Sequence, residues 1–271
     1  MIDISVPQYI DQQPFSIYYM TVSGHMNYNF TGNKMSSLHK EDVADLPYSE
    51  EGRAYIACNM ELDLALQYLI EQLDAAGKLE NTVICLSADH YPYGMEVSNL
   101  EDLAGRPLDG TLDIYHNNLI LWNSEMETVE VTKTASSLDI LPTLLNLFGF
   151  DYDARLYAGN DILSDASPLV IFADRSFITD KVSYNKKSKE VVWADGVEPD
   201  DEYLDAVKSQ VKGLYNYSAG ILNQNFYKYV EEALPEEYHS KVDPEWIAPH
   251  PKTETPKENT AGSTEAAGTE E

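Results

Sequence analysis

Apolar positions in this chain follow two rhythms. Val83 to Leu86, inside the stretch VICLSADHYPYG (83–94), are consecutive and apolar, which predicts a strand covered on both faces. The run stops at Asp89 and His90 and turns through Pro92 and Gly94. PFSIYYMTVSGH (14–25) reads as a second strand, rich in aromatic and β-branched residues, whose exit carries Ser23, Gly24 and His25. Between them the period changes: Tyr55, Cys58, Leu62, Leu66, Leu69 and Leu73 recur at intervals of three and four and predict one helix over Glu50–Ala76, stopped by Gly77. A strand, a long helix and a strand form a parallel crossover unit. Ligands of open α/β sheets sit at the carboxyl ends of the strands, so His25, Asp89 and His90 are expected to converge there.

The pattern continues downstream. NNLILWN (117–123) predicts a third strand, and SSLDILPTLLNLFG (136–149) a helix with Pro142 early, Gly149 as its stop and its Leu pairs buried. SPLVIFADRSFITD (167–180) gives two short strands, KEVVWAD (189–195) one more, and Tyr203–Glu232 an amphipathic helix. Residues 26–48, with many Asn, Ser, Gly and Tyr, read as a long loop of the kind that lines a site. From about residue 250 the chain is poor in apolar residues and is expected to be disordered. The expected organisation is an α/β domain over 1–235 and a carboxyl-terminal extension over 236–271.

Charge narrows the function. The 271 residues include 46 acidic and 18 basic ones, a net charge of −28, which repels nucleic acid and anionic lipid. Neither a signal peptide nor a stretch of membrane-spanning length is visible. The two cysteines, Cys58 and Cys85, lack zinc spacing and read as reduced core residues, a disulfide between them being the open alternative. Dinucleotide, P-loop and zinc-protease patterns are absent.

What remains for chemistry is small. Asp89 and His90 offer a hard oxygen and an imidazole, a pair that suits Zn²⁺ or Mn²⁺ better than Ca²⁺, provided that the turn at 91–94 lets both face one ion. The plainer alternative is a loop carboxylate beside a partly exposed histidine. His25 is the natural third member. His116 has a weaker case, and His39, His239 and His250 are expected to have no specific role.

PFSIYYMTVSGH, NTVICLSADHYPYG, SSLDILPTLLNLFG and AGNDILSDASPLVIFADRSFITD together resemble, in this order, successive blocks of the lipoteichoic acid synthase branch of the sulfatase-like, alkaline-phosphatase superfamily, over about residues 14–184. The resemblance implies a three-layer α/β/α fold, location outside a bacterial membrane with an anchor of preceding helices, and phosphoglycerol transfer by a threonine nucleophile on a Mn²⁺-type ion. Asp89 and His90 match the family's metal-binding Asp-His pair, and His25 matches its active-site histidine. The DILPTLL block matches a structural helix. In the family the metal-binding glutamate and the nucleophile come before the block matched by 14–25. The thirteen residues here hold neither, and neither cysteine begins the sulfatase nucleophile pattern. The chain is therefore expected to lack the first strands of the domain, to bind metal weakly or not at all, and to be inactive alone; a nucleophile within it would be sought among Thr21, Ser23 and Ser87. The expected function is part of a metal-dependent phosphoglycerol transferase acting on cell-envelope glycolipid or polymer. The alternatives are a sulfate or phosphate ester hydrolase of the same fold, or a non-catalytic domain that binds cell-wall polymer or a partner chain.

Overall fold

The computed structural model describes residues 1–108 and 112–233. The chain divides into two compact units, Met1–Val211 and Lys212–Glu271. In the first, the helix expected from the three-four spacing forms as α3 (Glu50–Ala75), after α1 (Ile2–Tyr9) and α2 (Lys34–Leu38). The Ser49 hydroxyl accepts from the Gly52 amide at its start, and Gly77, at φ 64°, takes the left-handed conformation that ends it. One end of α3 packs Leu69 and Leu73 against Ile2 and Val6 of α1, with Phe15, Tyr19 and Ile84 around them. The other end packs Ala54 and Cys58 against Tyr28 and Met95.

Sequence reading assigned no element to residues 1–13, where α1 forms despite Pro7 inside it. Its short length hides the period; the burial of Ile2 and Val6 against α3 stabilises it. The loop expected over 26–48 is also more ordered than its composition implies. The Asn33 side chain accepts from the amides of Met35 and Ser36 to start α2, and the buried Ser36 hydroxyl donates to the Asn29 carbonyl at 2.6 Å.

Two predicted strands form as β1 (Ile84–Ser87) and β2 (Leu119–Trp122), and the parallel unit does not form. β1 and β2 pair antiparallel, Ile84 opposite Trp122 and Ser87 opposite Leu119, with α4 (Val97–Ala104) in the connection. Residues 14–22 have no ladder partner among the described residues. They nevertheless run beside β1 in the same direction: Phe15 and Tyr19 share a cluster with Ile84, and His25 meets His90 beyond the other end. Strand propensity sets side-chain rhythm, whereas a strand needs a neighbouring backbone, and here the ladder is missing.

The helix predicted at 136–149 appears as a 3₁₀ turn, Ser137–Asp139, running into α5 (Ile140–Leu147). Its buried face differs from the one expected. Pro142 and Thr143 are buried, Leu144 and Leu145 are half-buried, and Leu141 and Leu147 are exposed. Polar bonds locate it: the buried Asp139 carboxylate accepts from the amides of Ser136 and Asn160, each at 2.7 Å, and the Thr143 hydroxyl accepts from the Ile162 amide at 2.9 Å.

A second sheet orders β3 (Val170–Ile171), β4 (Phe177–Ile178), β5 (Val182–Asn185) and β6 (Glu190–Trp193) as an antiparallel meander. Strand β5 was not foreseen, because KVSYN is short and half polar. Phe177 and Val182 are buried in this sheet, and Lys181 and Lys208 lie over the rings of Tyr203 and Tyr184, tying it to the first turns of α6 (Asp201–Asn223). The single helix expected over 203–232 is two, α6 and α7 (Phe226–Ala233), broken where Asn225 adopts φ 50°. The expected boundary at 235 and the expected disorder from 250 lie outside the described residues. Cys58 and Cys85 are free thiols, which removes the disulfide alternative. Burial pushes the Cys58 thiol up to about 11. Among the described residues no helix is long and apolar enough to cross a membrane.

Candidate functional site

The exit of β1 carries Asp89 and His90 into a tight turn. The Tyr93 amide donates to the Tyr91 carbonyl at 2.7 Å and the Met95 amide to the Pro92 carbonyl at 2.9 Å. Met95 plugs the turn into the core beside Tyr28, while the Glu51 carboxylate of α3 accepts from the Glu96 amide at 3.0 Å. Gly94 lies close under Met26, whose sulfur would be 2.7 Å from a Cβ there and would have to swing aside. At the end of the neighbouring extended run, the His25 amide donates to the Val22 carbonyl at 3.2 Å, and Gly24 lies against the Asn59 side chain of α3.

These turns bring the three predicted site residues together. The rings of His25 and His90 stand edge to face at 5.5 Å, and the Asp89 Oδ1 lies 3.6 Å from the His90 Nε2. His90 Nδ1 donates to the Tyr91 carbonyl at 2.7 Å, which leaves Nε2 facing the Asp89 carboxylate. Sequence reading missed Tyr93, whose ring packs 4.7 Å from that of His90 and whose hydroxyl lies 3.5 Å from His25 Nε2. Tyr91 continues the aromatic edge to Tyr115, at 5.3 Å. The signal for both was the Tyr-Pro-Tyr after the Asp-His pair.

As a home for an ion the cluster is right in kind and short in number. A carboxylate and an imidazole with a fixed tautomer are good donors for Mn²⁺ or Zn²⁺, but such ions take four to six. Among the described residues no group of three or more His, Cys, Asp or Glu gathers into a metal-binding cluster. Nor does any serine, threonine or cysteine among them hydrogen-bond to His25 or His90; the Ser87 hydroxyl donates to the Ala88 carbonyl.

The other histidines divide. His116 is exposed, its amide donating to the Asp113 carbonyl at 2.9 Å. His39, expected to have no role, is clamped between carboxylates: Nε2 lies 2.7 Å from Glu61 and Nδ1 3.1 Å from Asp42. Glu61 holds its pKa above the ordinary histidine value, with Asp42 assisting. His239 and His250 lie outside the described residues.

The family model "Sulfatase" matches residues 5–150, more than half of the chain and all of the cluster. Lipoteichoic acid synthase of Staphylococcus aureus (strain USA300) is 26% identical over 237 residues, covering 80% of this chain and 34% of that protein. The Staphylococcus saprophyticus lipoteichoic acid synthase is 28% identical over 180 residues, 64% of this chain and 27% of that one. The chain thus spans about a third of the length of these relatives. Among solved structures, the lipoteichoic acid synthase LtaP from Listeria monocytogenes superposes with a TM-score of 0.56 at 24% identity, over 86% of this chain and 58% of that one. The α/β fold is accordingly of the alkaline-phosphatase-like sulfatase kind. With over half its length matched by the family model, the chain belongs to the sulfatase family and is similar to the lipoteichoic acid synthases within it.

Proposed function

We propose that this chain contributes Asp89, His90 and His25 to the active site of a metal-dependent phosphoglycerol transferase of the lipoteichoic acid synthase type, one that works outside the bacterial membrane on a phosphoglycerol-bearing lipid or polymer. The observation that carries the reading is the meeting of these three side chains where the extended run 14–22 and strand β1 end, inside the segment matched by the family model. Asp89 and His90 are two of the ligands of a divalent ion, with Mn²⁺ the best fit to one hard oxygen and one imidazole. Such an ion supplies charge stabilisation at the phosphoryl oxygens and activates a hydroxyl nucleophile. His25 stands beside the ligands and is suited to hold or pass a proton at the phosphoryl or leaving group. Tyr93 packs against both imidazoles and helps to hold them in place.

Two donors leave most of the coordination shell to water, so residues 1–271 alone should take up Mn²⁺ weakly and show no turnover of a phosphoglycerol lipid or a simple phosphodiester. A longer polypeptide holding the rest of the sulfatase domain should bind the ion tightly and turn over, with both lost on Asp89→Asn. Calorimetric Mn²⁺ titration and a turnover assay on both proteins are the measurements. Metal-dependent turnover by residues 1–271 alone defeats the reading of an incomplete site and directs attention to Thr21, Ser23 and Ser87.

A further inference from the structure

Basic residues are scarce in this chain and unevenly placed. Residues 175–189 hold five of the 18, Arg175, Lys181, Lys186, Lys187 and Lys189, against one of the 46 acidic residues, Asp180. The antiparallel meander sorts them by end. Ile171 pairs with Phe177, Phe177 with Tyr184 and Asn185 with Glu190, so the β3–β4 turn (172–176) and the β5–β6 turn (186–189) leave the sheet at the same end. The Lys186 amide ties the two turns by donating to the Ser176 hydroxyl at 2.9 Å. Arg175, Lys186, Lys187 and Lys189 therefore share one end of the sheet, all of them exposed, and Lys181 belongs to the other.

Two features mark this end as one that presents charge. Arg175 at φ 71° and Lys189 at φ 61° both occupy the left-handed region, where glycine sits without strain and a long side chain does not. Both turns thus carry a cation where backbone ease favours a smaller residue. The second feature is pairing. Lysines elsewhere are engaged, as Lys208 is with Asp205 and Lys228 with Glu232, whereas among the described residues no ion pair engages Lys187 or Lys189. The Asn185 side chain accepts from the amides of Lys187 and Ser188 at 3.0 and 3.1 Å, which shapes the turn without using either ammonium. The place of this end matters as well. Phe172 begins the β3–β4 turn and its ring lies 5.6 Å from that of Tyr115, which lies 5.3 Å from Tyr91, itself 6.2 Å from Tyr93 beside His25 and His90. A run of rings, half-exposed at Tyr93 and Tyr115, joins the basic end to the Asp89, His90 and His25 cluster.

Resting on the phosphoglycerol reading above, we propose that Arg175, Lys186, Lys187 and Lys189 form a second anion site, which holds phosphodiester groups of a flexible polymer whose reacting end lies at Asp89 and His90. Two observations choose this occupant. The run of rings sets the basic end apart from the cluster, so one phosphate cannot occupy both, whereas a chain of repeated phosphates can lie along the rings and reach each. A flat anionic lipid surface would meet the acidic remainder of a molecule of net charge −28 together with the patch, whereas a thin flexible chain meets the patch alone.

The test is calorimetric titration of residues 1–271 with a synthetic glycerol phosphate hexamer, in EDTA and about 0.01 M NaCl, where the screening length is about 30 Å. The parent should bind the hexamer more tightly than inorganic phosphate and lose it as salt rises. Lys187→Glu with Lys189→Glu should weaken binding about tenfold or more. Lys34→Glu with Lys40→Glu, which changes the net charge equally at exposed positions on α2 and just after it, should weaken it less than about twofold. Lys189→Gly removes one charge and relieves the left-handed backbone, so it should weaken binding with a urea midpoint no lower than the parent's. A parent that does not bind the hexamer overturns the proposal, as do equal losses in the two double variants or inorganic phosphate bound as tightly as the hexamer. Cosedimentation with phosphatidylglycerol vesicles that Lys187→Glu with Lys189→Glu abolishes assigns the patch to a lipid surface and overturns it too. The titration contains no metal, so its failure is read separately from any failure of Asp89 and His90 to hold Mn²⁺.

Discussion

At Gly159 a Cβ would lie 2.1 Å from the Leu138 carbonyl oxygen and 2.7 Å from the Asp139 nitrogen, both backbone atoms. The glycine belongs to the segment that Asp139 and Thr143 fasten to α5, so the chain cannot retreat without breaking those bonds. Gly159→Ala should cost about 3 kcal/mol. Gly149, at φ 68° with nothing near its missing Cβ, should lose only about 1 kcal/mol on the same change, the strain of a left-handed alanine. Urea denaturation of both variants checks the order, and equal losses would show that the 138–160 contact is not tight. Neither glycine's role was equally legible in the sequence. Gly149 announced itself by following an apolar helical run, whereas Gly159 is fixed by a contact twenty residues away. The same distinction separates Asp89 and His90, adjacent at a strand exit, from His39, whose partner Glu61 lies on another helix.

At the scale of elements, what the sequence revealed was whatever depends on local rhythm: α3, α5, β1 and β2 all appear close to their expected places. Pairing was not legible, because the rhythm of 14–22 is that of a strand and its backbone still has no partner among the described residues. Elements stabilised mainly by distant contacts, α1 and β5, were likewise hidden. The α2–α3 contact is one such case with a measurable consequence. His39 closes α2 and donates to Glu61 of α3 and to Asp42, and these bonds raise its pKa above the ordinary value of about 6.5. A raised folded-state pKa means that the folded form holds the proton more tightly than the unfolded one. The clamp's stabilisation is therefore full below about pH 6.5 and is lost as pH climbs through the raised value. His39→Gln should be less stable than the parent at pH 6 and approach it in alkali. Parallel pH profiles of the two proteins would show no such convergence if the clamp were only steric.

For the whole molecule the dominating quantity is the net charge of −28, which leaves that many carboxylates without a lysine or arginine to pair with. Several of the pairs that do form, such as Arg155 with Asp153 and Lys208 with Asp205, are exposed and local, and so contribute little to stability. Self-repulsion should therefore be the larger electrostatic effect, and salt should relieve it as the screening length falls from about 30 Å at 0.01 M to about 3 Å at 1 M. The unfolding midpoint should rise across that range of NaCl; a fall would mean that attractive pairs outweigh the repulsion. The same field bears on the metal site. A surface this acidic gathers divalent cations without any specific ligand set, so Mn²⁺ uptake in dilute buffer says little about Asp89 and His90. In 1 M NaCl the diffuse uptake should vanish, and what persists should be the share removed by Asp89→Asn. If that variant and the parent titrate alike in high salt, the Asp-His pair at the exit of β1 holds no ion, and its place beside His25 is structural.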